Sequence, residues 1–154
     1  MRLKIVAGLV AAALLLTGCG GGASPRVAAT PDQFVAVAQS LSFTTTDYSD
    51  QYSDEVYVIT VILATKEKSE IDFFELASDE FASGVYDSNV TNIQLLEVPG
   101  VTHGSESHGN YQKYWVQMPN DYWVVIQVAE TVLFAHVTMN EMNSLNSLLA
   151  KLSY

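Results

Sequence analysis

The chain has 154 residues, 49% of them hydrophobic, with seventeen acids against seven bases, a formal net charge of −10 and a single cysteine. That length suits one domain built on one core rather than two. The acidic balance repels nucleic acid and anionic lipid surfaces, and a lone thiol excludes an internal disulfide or a paired-cysteine centre.

The first eighteen residues read as an export signal. Arg2 and Lys4 precede about twelve residues, 5–16, with no charged or polar side chain, the order of an n-region and an h-region. A transmembrane helix needs roughly twenty apolar residues, so the run is too short to span a bilayer. Leu16-Thr17-Gly18-Cys19 follows and resembles the lipobox of bacterial lipoproteins. The resemblance implies cleavage between Gly18 and Cys19, a diacylglyceryl group on the Cys19 sulfur and an N-acyl chain, with no other cofactor. It also implies attachment to the outer face of the cell membrane, or to an outer membrane in a Gram-negative cell. Two or more acyl chains make such attachment stable. Once the signal is removed, five bases face seventeen acids, a formal charge of −12.

Residues 19–29 are the acylated cysteine and a Gly, Ala, Ser and Pro linker with one Arg. Ten such residues have a root-mean-square reach on the order of 17 Å. The folded domain is expected over residues 30–154. Thr30-Pro31-Asp32-Gln33 combines an N-cap, a proline at the first helical position and a capping-box Gln, and Phe34, Val37, Ala38 and Leu41 then share a helical face. After a polar stretch, residues 55–64 are apolar on both alternating faces and rich in β-branched side chains, which predicts an interior strand. Ser69 and Asp72 are candidate caps for a second helix carrying Ile71, Phe74, Ser78, Phe81 and Val85 and ending near Gly84. A strand is expected over 91–98, then a polar loop to Gly109, then three antiparallel strands over 110–118, 122–129 and 132–138. Asn140 caps a last helix whose Met142, Leu145, Leu149 and Leu152 share one face. The predicted order is α-β-α-β-β-β-β-α: an α+β fold with an antiparallel sheet of about five strands and packed helices.

Tyr114, Trp115, Tyr122-Trp123-Val124-Val125, Thr131-Val132-Leu133-Phe134-Ala135 and the ending Leu152-Ser153-Tyr154 resemble the C-terminal parts of small uncharacterised surface lipoproteins of Gram-positive bacteria. That likeness covers about the last third of the mature chain. It implies no activity, and it points to the single membrane of a Gram-positive cell.

Candidate chemistry is sparse. His103, Glu106 and His108 fall within six residues and could ligate Zn²⁺ or Cu²⁺, with His136 as a further ligand supplied by the fold. Ser105-Glu106-Ser107-His108-Gly109 departs from the Gly-x-Ser-x-Gly nucleophile elbow at its first position. Asp47, Asp50, Asp54 and Glu55 offer oxygens but lack the alternation and turn glycine of a calcium loop. Tyr111, Tyr114, Trp115, Tyr122 and Trp123 could form an aromatic platform for glycan or peptide. The chain has no P-loop, dinucleotide fingerprint or HExxH pattern. The reading that follows is a non-enzymatic, lipid-anchored module that binds a protein, wall polymer or small ligand. The alternative is a metal-binding surface protein using His103, Glu106 and His108.

Overall fold

Capping chemistry fixes the first element where the sequence places it. The computed structural model describes residues 24–95 and 99–154, so the signal segment, the lipobox and Cys19 lie outside the described residues. Helix α1 (Pro31–Ser40) opens on a complete capping box: Gln33 N–H donates to Thr30 Oγ1, and Thr30 N–H donates to Gln33 Oε1. Phe34 and Ala38 are buried, and the Phe34 ring stacks on Phe73 at 4.9 Å. Ser42 takes a left-handed turn (φ 67°) that delivers the chain to a short edge strand, β1 (Thr44–Asp47).

The predicted interior strand is β2 (Val58–Lys66), which starts three residues later than expected because a one-turn 3-10 helix and further turns occupy the preceding stretch. A register irregularity between Val58 and Thr60 leaves Ile59 55% exposed.

Residues expected to start the second helix instead form strand β3 (Ser69–Leu76), paired with β2 on one side. Period two wins over period 3.6 here, because Ile71 and Phe73 bury on one face while Glu70, Asp72 and Phe74 take the other. The intended cap, Ser69, is fully buried and accepts from Thr138 N–H. The helix proper, α2 (Asp79–Gln94), is capped by Ser78, which accepts from Phe81 N–H, and has Asp79 and Glu80 in its first turn. It continues through Gly84 and takes up Thr91 to Gln94, where a strand was expected; residues 96–98 lie outside the described residues.

The expected polar loop is also a strand, β4 (Thr102–His108), paired along its length with β5 (Tyr111–Gln117). Gly104 makes that pairing possible, since the Trp115 ring lies where its Cβ would be, 2.7 Å away. Strands β6 (Asp121–Val128) and β7 (Thr131–Thr138) complete the predicted meander. The sheet therefore has seven strands rather than about five, all antiparallel, in the order β1-β2-β3-β7-β6-β5-β4. The element order becomes α-β-β-β-α-β-β-β-β-α, which retains the α+β character.

Helices cover both faces. Helix α1 and the C-terminal helix α3 (Met142–Leu152) lie on one face, over Ile62, Ile71, Phe73, Val124, Ile126 and Leu133. Leu145, Leu148, Leu149 and Leu152 bury α3, and Glu141, not Asn140, stands at its N-cap. A 2.8 Å ion pair from Glu141 to Lys66 fixes that helix start to the end of β2. Helix α2 lies on the other face, over Leu76, Val116, Val125 and Val132. Gln127, nearly buried, pins the first turns of α2 by hydrogen bonds to the Asp79 carbonyl and the Ser83 hydroxyl.

The segment read as linker is tied to the domain from Arg26 onward. Arg26 N–H donates to Asn110 Oδ1 (2.9 Å), and Asn110 Nδ2 returns a bond to the Arg26 carbonyl (2.8 Å). The guanidinium sits 3.7 Å over the Tyr111 ring, and Ala29 N–H donates to the Tyr154 hydroxyl, which also bonds Thr131. No helix among the described residues is long and apolar enough to cross a membrane.

Candidate functional site

A helix laid across a seven-stranded sheet cannot cover all of one face, and α2 leaves part of its own face open. Ala82, Tyr86 and Ile93 point into the sheet. Phe81, Gly84, Val85 and Ser88 border a groove of about 560 Å³ whose opposite wall is Tyr57 and Phe74. That volume falls in the range of small-ligand sites. The Phe81 ring is 46% exposed and stacks on Tyr57 at 5.2 Å, while Tyr52 meets Phe74 edge-on. A hydrogen bond to the Glu55 carboxylate pushes the Tyr57 phenol above its usual range.

Beyond Phe74 the open face continues along one row of the sheet through Leu63, Asp72 and Phe134, all half-buried. In the next row, His136 stacks flat on Trp123 at 3.9 Å and reaches Asp121 at 3.1 Å. Burial first, and the nearby Glu70 carboxylate second, push the Asp72 carboxyl up to about 6.

Charge is segregated between the two faces. Strand alternation places Lys66 and Lys113 on the α1/α3 side, where Arg26 and Lys151 also bond. Lys68 sits in the β2–β3 turn. The α2 side carries Glu70, Asp72, Asp79, Glu80, Asp87 and Asp121, and among the described residues it holds no Lys or Arg.

The residues singled out from the sequence are dispersed by the same alternation. His103 projects on the α2 side of β4, whereas Glu106 and His108 project on the other side, opposite Lys113 and Tyr111. His136 shares a face and a row with His103 but lies three strands away, about 14 Å at ordinary strand spacing. Among the described residues no group of three or more His, Cys, Asp or Glu could hold a metal ion. The Ser105 to Gly109 stretch runs along β4 into a hairpin turn rather than from a strand into a helix.

The five-ring platform is likewise split. Tyr111 (2% exposed) and Tyr122 (8%) are buried on the α1/α3 side with Trp115 packed against them, while Tyr114 and Trp123 belong to the α2 side. Burial pushes the Tyr122 phenol up to about 12. Of the acidic segment, Asp47 has its pKa lowered by Ser49, through the serine side chain first and its N–H second, and Ser49 Oγ accepts from Val61 N–H, clipping the segment to β2.

Sequence reasoning missed the groove because it placed Phe74 and Phe81 on one buried helical stripe. They belong to a strand and a helix that face each other across open space. The available signal was Gly84 beside an exposed aromatic, a small residue at the middle of a helix wall. Comparison of the chain with protein-family models, with curated proteins and with solved structures found no match.

Proposed function

We propose that this chain is a lipid-anchored extracytoplasmic binding module, held at the outer face of the membrane through acylated Cys19, with the groove beside α2 as its ligand site. The observation that carries the binding half is a groove lined by three aromatic rings, the exposed Phe81 and the half-buried Tyr57 and Phe74, which rest on the core beneath α2 and leave space beside it. A concave, largely apolar groove with a few polar groups is the usual form of a ligand site. Support for the anchor is the lipobox with its two correct flanks. No cofactor enters this reading, and no catalytic residue is assigned. The metal alternative has weaker support, since His103 stands on the opposite face of β4 from Glu106 and His108.

Two measurements test the proposal. Cys19→Ala should leave the membrane fraction, and retention of that variant after a carbonate wash would refute the anchor. A thermal-shift panel of peptides, wall glycans and uncharged small molecules should give hits that disappear in Gly84→Trp, where the indole fills the groove. Hits indifferent to that change would place binding elsewhere.

A further inference from the structure

Resting on the groove reading above, we infer that the occupant of the α2-side surface is a basic amphipathic peptide segment of a partner protein, its apolar side chain seated between Tyr57, Phe74 and Phe81 and its Lys or Arg residues against the surrounding carboxylates. Two independent observations carry this. The first is the groove itself, open to solvent and lined by Tyr57, Phe74, Phe81 and Val85 together with the polar Glu80, Ser88 and Asn89. The second is the segregation of charge: among the described residues that side carries six carboxylates and no Lys or Arg, while Lys66, Arg26 and Lys151 are engaged on the other face. Glu80 lines the groove itself, and Asp72 lies two residues before Phe74 on the same face of β3.

Carboxylates in and beside an apolar slot select against acidic partners more strongly than they add affinity, because a carboxylate brought against a like charge is penalised. A solvated acidic surface alone would attract any cation equally. The slot adds a requirement that simple charge attraction lacks.

The test uses the full mature chain and three synthetic peptides: one of alternating Lys and Leu, one with Glu for Lys, and one with Ser for Leu. The Lys/Leu peptide should bind, and binding should weaken as salt rises, since exposed charges are screened beyond about 10 Å at 0.1 M. Binding should fall at least tenfold for either altered peptide and for Gly84→Trp. A Cβ at Gly84 meets nothing within 4 Å, so a side chain can leave the helix there without a backbone clash, and an unchanged circular dichroism spectrum checks that the variant is folded. The Glu80→Gln, Asp72→Asn double variant should weaken the Lys/Leu peptide and spare an uncharged naphthylamine probe.

Equal binding of the Lys/Ser peptide, or binding unchanged in Gly84→Trp, would overturn the inference as mere charge attraction. Absence of peptide binding would also overturn it. If the uncharged probe still entered the wild type and not Gly84→Trp, the groove reading would survive that failure. Loss of both would sink the two together.

Discussion

Asp72 shows how much one position on an open face can say. Its carboxyl lies between Leu63 and Phe134 in the sheet register, with Glu70 next along its own strand and His136 diagonally across on β7, itself bonded to Asp121. The folded state holds the Asp72 proton up to about pH 6, against an ordinary value of 3.8. A raised carboxyl pKa means that this site favours the folded state fully below about pH 4 and loses that contribution as pH rises through 6. Asp72→Asn should therefore stabilise the protein at pH 7.5, on the order of 1 kcal/mol after solvent screening is allowed for. The gain should vanish near pH 3.5. Urea titrations at the two pH values check this, and an equal gain at both would show that packing rather than ionisation is responsible.

Helix α2 carries the next lesson, because its composition understates it. Gly84 sits in mid-helix with open space where a side chain would go. Glycine there forgoes about 0.5–1 kcal/mol relative to alanine. Gly84→Ala should raise stability by that amount in chemical denaturation, and a loss would mean that the backbone there needs glycine. The same glycine, read as a stop, ended the predicted helix ten residues too early. The elements legible from sequence were those with local chemistry: the Thr30 capping box, the β5–β6–β7 meander and the leucine face of α3. Strand β3 was not legible because Ile71 and Phe74 satisfy a helical stripe as well as a strand, and only its partners β2 and β7 decide between the two. Strand β4 was hidden by its composition, as Thr102 to His108 contains no large apolar residue and is held by pairing with β5 on one edge. The candidate site suffered most, since a helical period carried back over residues 69–76 put Phe74 and Phe81 on one buried stripe and hid the groove between them.

At the scale of the whole molecule, the docked segment before α1 belongs to the fold. A chain beginning at Thr30 lacks the paired bonds between Arg26 and Asn110, the Arg26–Tyr111 contact and the Ala29 bond to Tyr154. It should still fold, yet be about 1–3 kcal/mol less stable than one beginning at Ser24, because its loss leaves the half-buried Asn110 amide without the bonds it makes to Arg26. Differential scanning calorimetry of the two chains decides it, and equal melting temperatures would show that the docking is energetically neutral. The Arg26 clasp also gives the molecule a near pole and a far pole under the anchoring proposed above. Cys19 and Arg26 are seven Cα steps apart, at most about 25 Å when fully extended. The near pole is then the end bearing Asn110, Ser153 and the Ala129–Glu130 turn. Phe74 lies two residues from the end of β3 whose Leu76 N–H bonds Glu130, so the groove opens on the flank close to that pole. A visitor to the groove must work at low altitude, within a few nanometres of the lipid headgroups, which favours partners that already travel along the same membrane over those arriving from bulk solution.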